Sequence, residues 1–265
     1  MKTDGPVEHQ VEVGGGVATI TFDRPHAYNA FTMDLVQSLL ATLKALERDP
    51  AVRAVVLTGA GKGFCAGQAL DDPRMFGGDG PPALVAAIER GYGPLITAIL
   101  TSAMPFVAAV NGVAAGAGFG IACACDFRVV SETATFASAF VKIGLVPDSG
   151  LSFTLPRLVG YGKALEICLL SERIDAQRAD ALGLCTRLVA PDRVVAEAQA
   201  LAGTFAHGPY SVGLIKRELL RNGAGDLRAA LDYELQLQTI AGESADFAEG
   251  VAAFRAKRAA EFRGA

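Results

Sequence analysis

Asp148 stands in the stretch Lys142-Ile143-Gly144-Leu145-Val146-Pro147-Asp148-Ser149-Gly150 and is the only acidic residue between Ala134 and Ala164. A carboxylate held against apolar walls loses solvation of its charged form. Its pKa therefore rises, and it can take up a proton and return it. The composition Pro-Asp-Ser-Gly suits an exposed β-turn equally well. Two further stretches are punctuated by small residues, Gly61-Lys62-Gly63-Phe64-Cys65-Ala66-Gly67-Gln68-Ala69-Leu70 and the run AVNGVAAGAGFG over Ala109–Gly120. Small side chains let backbone N–H groups approach a ligand, and a helix N-terminus adds positive partial charge. Two such N–H groups converging from separate elements would hold the oxygen of a carbonyl or thioester as negative charge develops on it. Close packing at strand–helix turns is the other reading of the same spacing. Neither stretch has the Gly-x-Gly-x-x-Gly spacing of a dinucleotide fold or the Lys-Ser/Thr pair of a P-loop.

The elements that must position these groups emerge from periodicity. Alternation over Val7–Val13 and Val17–Phe22, around Gly14-Gly15-Gly16, predicts a β-hairpin. Thr32 can N-cap a helix whose Leu35, Leu39, Leu43 and Leu46 recur at helical spacing, with Asp34 favourable beside the helix start. Val52–Thr58 reads as a strand leading into Gly59-Ala60-Gly61, Asp71–Pro82 as a mobile loop, and the chain from there to about Thr101 as a helix. Phe106–Val110 is a short buried strand, Val113–Cys125 turns helical partway, and Phe127–Val130 is the next strand. Strands alternating with helices to about Ala190 predict βαβ units wound into one α/β fold. Beyond it Asp192–Phe205, Ser211–Arg221, Leu227–Ala241 and Ser244–Arg258 read as helices, with Gly223-Ala224-Gly225 separating the middle two and Ser244 as an N-cap. The expected organisation is an α/β core over residues 1–190 and a helical region over 191–265 that packs on neighbouring subunits.

Composition excludes several classes. The chain has 265 residues, 51% hydrophobic and 20% charged, which is enough apolar surface for a core and too much for a disordered chain. Its formal net charge is -4 and no dense basic block occurs, so no nucleic-acid partner and no anionic membrane surface is expected. Gly91–Cys125 lacks any charged residue or histidine, but Pro94, Pro105, Asn111, Gly112, Gly116, Gly118 and Gly120 interrupt it. A membrane helix needs about 20 apolar residues in one run, so buried strands and helix starts are expected instead. Cys65, Cys123, Cys125, Cys168 and Cys185 lie mostly among apolar neighbours. The Cys123-x-Cys125 pair has no further ligand at metal-site spacing, so the cysteines are expected to be reduced core residues of a cytoplasmic protein, with no metal bound. The opening MKTDGPVEHQ carries neither the apolar run of a signal peptide nor an Arg-rich transit pattern.

Together, Gly61–Leu70, Ala109–Asp126, Lys142–Gly150 and the segment EGVAAFRAKR over Glu249–Arg258 resemble the enoyl-CoA hydratase/isomerase, or crotonase, family, from about Gln10 to Phe262. Within it, GKGFCAGQ, NGVAAGAG, KIGLVPDSG, LPRLVG, GLIKREL and AGESADFAEGV are most similar to the branch that isomerises a ring 1,2-epoxide in phenylacetate degradation. The resemblance implies a crotonase-like ββα superhelix whose helical C-terminal region builds a homotrimer or homohexamer. It implies an acyl-CoA thioester substrate, with CoA part of that substrate and no separate cofactor. The backbone N–H groups of Gln68 and Ala117 take the oxyanion-hole positions, and Asp148 matches the catalytic aspartate of the isomerase branches. The backbone of Ala66, Gln68, Ala69 and Leu70 would meet CoA, while Phe254 and Lys257 match positions that approach the CoA of an adjacent subunit.

The departures from the family pattern carry as much information. The two water-activating glutamates of a hydratase match Gly120 and Phe140 here, and neither can transfer a proton. Ala69 stands where the family usually has Asp, which predicts a looser loop or an altered pocket polarity. His26 is expected as a solvated contact near the CoA entrance. Tyr92 and Phe136 are candidates for the acyl-pocket wall, with core packing as their other reading. The expected activity is acyl-CoA isomerisation by double-bond shift or ring-epoxide rearrangement. The alternatives are a 2-enoyl-CoA hydratase using Asp148 alone and a non-catalytic CoA-ester-binding protein.

Overall fold

The computed structural model describes residues 8–77, 82–223 and 225–265. The predicted hairpin is β1 (His9–Gly14) antiparallel to β2 (Val17–Phe22), with Val7 lying outside the described residues. Further along the chain come β3 (Ala54–Gly59), β4 (Gly63–Cys65), β5 (Phe106–Val110), β6 (Val113–Ala115), β7 (Phe127–Ser131), β8 (Thr135–Ala137), β9 (Ile174–Asp175) and β10 (Arg187–Val189). They build a six-stranded sheet in the order β1-β2-β3-β5-β7-β10, parallel from β2 onward, and a four-stranded sheet in the order β4-β6-β8-β9. Every residue of β3 and β5 is buried, because both faces of this parallel sheet are covered. That is why AVVLTG and FVAAV read as unbroken runs and not as alternation.

The helix Met33–Leu46 begins as expected, with the Thr32 hydroxyl accepting the Leu35 N–H at 3.1 Å and Leu35, Leu39, Leu43 and Leu46 buried on its inner face. Residues 84–101 are helical throughout but not uniform. They are α-helical over Leu84–Ala87, π-helical over Ile88–Tyr92 and α-helical over Gly93–Thr101. Gly91 brings this helix against the first one, since a Cβ there would lie 2.6 Å from Met33 Cε. The expected mobile loop Asp71–Pro82 is corrected in part. It opens with a helical turn, Pro73–Phe76, N-capped by the buried Asp72, whose Oδ1 accepts the Arg74 N–H at 2.9 Å. Asp before Pro supplies both an N-cap acceptor and a first helical residue with no N–H to satisfy. Residues 78–81 lie outside the described ones.

Four longer helices come after β10: Val194–Ala206, Ser211–Asn222, Leu227–Gly242 and Ala245–Ala256. The first lies on the sheet of its own chain, its Val194, Ala198, Leu201 and Ala202 against Val56, Val107 and Val129. Lys216 fastens the second. Its Nζ sits 2.8 Å from the Asp126 carboxylate and donates to the carbonyls of Ile99 and Met104. Ser244 caps the last, accepting the Phe247 N–H at 3.1 Å. Among the described residues no helix is long and apolar enough to cross a membrane. All five cysteines are free thiols, with Cys65, Cys123 and Cys125 buried.

Asp246 is the anchor of the last segment. Its carboxylate accepts the N–H groups of Tyr210, Arg263, Gly264 and Ala265 at 2.9, 2.7, 2.7 and 3.2 Å. Burial alone would raise its pKa, but the four donated N–H groups outweigh it and hold the carboxyl below its ordinary value. A depressed pKa contributes stability above the unfolded value near 4 and loses it as pH falls through the folded value. Asp246→Asn is therefore expected to destabilise the protein at pH 7 by about 1–3 kcal/mol. The gap from wild type closes in strong acid. Thermal melts of both proteins at pH 7 and pH 3 check this, and an equal gap at both values would contradict it.

Candidate functional site

Two asparagines fix the chain between β3 and β4. Asn29 Nδ2 donates to the carbonyls of Gly63 and Ala60 at 2.7 and 2.9 Å, and Asn111 Nδ2 to those of Gly59 and Gly61 at 2.8 and 3.0 Å. β4, which the sequence pattern alone merges into a loop, then delivers Ala66–Leu70. Gly67 adopts φ +102, a conformation that disfavours any Cβ, and its carbonyl accepts the Phe31 N–H at 2.7 Å. The Ala69 N–H returns to the Phe31 carbonyl at 2.8 Å. The Gln68 N–H lies between these two bonds and belongs to neither.

The opposing wall comes from β6. Gly116, at φ +51 and ψ -122, turns the chain into the fully buried helix Ala117–Ala124, so that the Ala117 N–H is the first of its unpaired end. A Cβ built on Gly67 would lie 3.0 Å from the Ala115 carbonyl and 3.6 Å from the Ala117 nitrogen, so the two small-residue turns face one another directly. Among the described residues neither the Gln68 nor the Ala117 N–H is taken by a strand pair, a turn or a cap.

Gln68 and Ala117 both line a cavity of about 440 Å³ whose wall is mostly apolar, with Met75, Leu84, Ile88, Phe140, Ile143 and Leu145 among its residues. Among the described residues three with polar side chains line it, Gln68, Tyr92 and Asp148. Asp148 also borders a larger apolar cavity of about 730 Å³ that shares Leu84, Ile88 and Leu145 with the first. Burial pushes the Asp148 carboxyl above its ordinary range, and the Ser149 hydroxyl, donating to Oδ1 at 2.8 Å, offsets part of that rise. Asp148 does open a turn, its carbonyl accepting the Leu151 N–H at 2.9 Å, but the residue is half-buried and not exposed. Free N–H donors on two elements, with a carboxylate in the same largely apolar pocket, can hold a carbonyl oxygen while a proton moves on and off the adjoining carbon.

Ser149 also explains Gly120. A Cβ at Gly120 would lie 2.6 Å from the Ser149 carbonyl and 2.7 Å from its Cβ, so the helix can lie against the Asp148–Ser149 turn only without a side chain there. For the same reason Ser149→Ala tests the carboxylate's environment. The lost hydroxyl had favoured the charged form. The acid limb of the kcat/KM profile is thus expected to move to higher pH, with little change on the alkaline side. A shift to lower pH, or none, would show that the hydroxyl does not tune Asp148.

The remaining sequence candidates fall in three places. Ala66 and Leu70 are exposed at the cavity rim, while Ala69 is buried. The loop beside Ala69 is not loose: besides the Phe31 bridge, the buried Asp72 accepts the Met33 N–H at 2.7 Å and ties the loop to the first helix. Sequence reasoning misses this residue, although Asp-Pro is a readable helix start. Tyr92 lines the cavity, whereas Phe136 is fully buried with its ring 5.3 Å from that of Phe119, and so is core and not wall. His26 is exposed on a short 3-10 turn. Phe254 is 85% exposed and lines a separate groove with Phe247 and Phe262, and Lys257 is exposed at the C-cap of the same helix. A single chain brings neither to the cavity. Among the described residues no three His, Cys, Asp or Glu side chains gather as a metal site requires.

Comparison with known proteins places this geometry in context. Residues 12–265 match the family model for enoyl-CoA hydratase/isomerase. The chain is 40% identical to the 1,2-epoxyphenylacetyl-CoA isomerase of Escherichia coli (strain K12), over 94% of this chain and 95% of the relative. It is 34% identical to a 4-chlorobenzoyl coenzyme A dehalogenase of an Arthrobacter species, over 97% and 94%. The crystal structure of an enoyl-CoA hydratase from Polaromonas sp. JS666 superimposes with a TM-score of 0.90 at 32% identity, covering 96% of this chain and 99% of the other. These three similar proteins have three different printed activities, so likeness alone does not select the reaction. With the match spanning nearly its whole length, the chain belongs to the enoyl-CoA hydratase/isomerase family.

Proposed function

We propose that this protein is an acyl-CoA isomerase acting through a thioester enolate. The reading is carried by one observation: the free N–H groups of Gln68 and Ala117 and the carboxylate of Asp148 border one apolar cavity, while the Gly120 position is closed by Ser149. The two N–H groups hold the thioester oxygen, and Asp148 removes a proton from C2 of a 3-enoyl-CoA. The electrons delocalise through the enolate, and the same carboxyl returns the proton at C4, giving the 2-enoyl isomer. A ring-epoxide substrate would use the same oxygen-holding site during rearrangement. CoA enters as part of the substrate, its thioester arm along the Ala66–Leu70 backbone, and the scheme needs no further cofactor. Phe254 and Lys257 would complete the CoA site from an adjacent subunit of a trimer or hexamer, and a cytoplasmic location fits this chemistry.

The test incubates purified protein with a 3-enoyl-CoA and, separately, with a ring-epoxide aryl-acyl-CoA. The expected product in each case is an isomer of unchanged mass, separated by chromatography. Tight acyl-CoA binding with no conversion of either substrate would make the protein a binding module instead.

A further inference from the structure

The side chain of Gln68, as distinct from its backbone, is held at both ends. Its Oε1 accepts the Tyr92 hydroxyl at 2.7 Å, and its Nε2 donates to Asp72 Oδ2 at 3.3 Å and to the Ala69 carbonyl at 3.2 Å. A carboxylate can only accept, so Asp72 fixes which end of the amide is the NH₂ and leaves the oxygen facing Tyr92. Asp72 is itself 3% exposed and immobilised by the N–H groups of Met33 and Arg74 at 2.7 and 2.9 Å. Tyr92 is 3% exposed, and burial, with Cys65, Asp148 and Asp72 adding to it, keeps its phenol protonated and able to donate. The π-helical turn Ile88–Tyr92 ends on this residue, and such turns are frequent at functional sites.

We propose that Tyr92 and Asp72 are positioning residues, which clamp the Gln68 side chain and thereby keep the Gln68 N–H directed into the cavity. This inference rests on the reading of that N–H as an oxyanion donor. Small errors in donor alignment matter because the interaction strengthens only as charge develops on the oxygen.

The experiment uses acetyl-CoA carrying a ¹³C-labelled thioester carbonyl, which binds but has no double bond to move. Difference infrared spectroscopy reports how far the bound carbonyl stretch falls below its value in water. Wild type is expected to show a clear downshift. Tyr92→Phe and Gln68→Met are each expected to lose most of it, with Kd for acetyl-CoA within about twofold of wild type. With whichever enoyl-CoA the enzyme converts, both variants lower kcat about tenfold at unchanged KM. The double variant is no worse than either single one, because the two residues act as one unit. Gln68→Met keeps the backbone donor and alters a half-exposed residue, so it remains informative if Tyr92→Phe folds poorly. A full downshift in Tyr92→Phe, additive losses, or a raised KM with unchanged kcat would each overturn the clamp. No downshift in wild type would overturn the oxyanion reading, and the clamp with it.

Discussion

Asp148→Asn is expected to lower kcat for isomerisation by about 10²–10⁴-fold while Kd for acyl-CoA stays within about threefold. The substitution is close to isosteric, and the Ser149 hydroxyl keeps an acceptor in the side-chain amide, so the pocket retains its shape. What disappears is the only carboxylate among the described residues of the cavity wall. The other titratable group there, Tyr92, is driven well above its ordinary pKa by burial and cannot serve as a base near neutrality. Stopped-flow or steady-state kinetics with a 3-enoyl-CoA, paired with calorimetric binding of an unreactive acyl-CoA, separates the two effects. Near-normal turnover in Asp148→Asn would remove this residue from the mechanism.

The second large effect is a preference between reactions. Hydration of a 2-enoyl-CoA is expected to run at least about 10⁴-fold more slowly than isomerisation of a 3-enoyl-CoA in the same preparation. Water needs a base to activate it and an acid to protonate the neighbouring carbon. By the family resemblance, Gly120 and Phe140 match the positions of the two water-activating glutamates, and neither side chain can transfer a proton. Gly120→Glu offers no rescue, because even its Cβ would lie 2.6 Å from the Ser149 carbonyl and would displace the turn that carries Asp148. That variant is expected to lose isomerase activity without gaining hydration. Equal kcat/KM values for the two reactions in wild type would show that another group activates water.

Much of this fold is legible in the sequence for identifiable reasons. The hairpin, the Thr32-capped helix and the C-terminal helices announce themselves because their apolar periods and caps are local. The three-residue strands β4, β6 and β8 do not, since they exist only by pairing with one another across long stretches of chain. Asp148 is visible as a lone acid, but its environment depends on Ser149 meeting Gly120 from another helix. Asp72 is hidden inside a stretch whose Gly, Pro and Asp content suggests a loop. Its partners Met33 and Gln68 lie 39 and 4 residues away, a grouping that no spacing rule anticipates. Of the two readings the sequence leaves open for Tyr92 and Phe136, Tyr92 takes the cavity wall and Phe136 the core, because an aromatic residue near a motif looks the same on paper whichever it faces.

The π-helical turn ahead of Gly93 has a consequence for length variation. A π turn carries about one residue more than an α-helical turn, which rotates the downstream segment by about 100° relative to the upstream one. Leu84 and Ile88 upstream face the cavity, and Leu95 and Ile99 downstream are packed into the core. One continuous helix thus serves two surfaces that a regular helix would not present together. A single-residue deletion between Glu89 and Gly91 would restore α-helical geometry and, because it removes the residue that the wide turn absorbs, leave Leu84 and Ile88 on the cavity and Leu95 and Ile99 in the core. A chain one residue shorter at this turn therefore keeps the same faces on either side of it, and a length change here costs folding little.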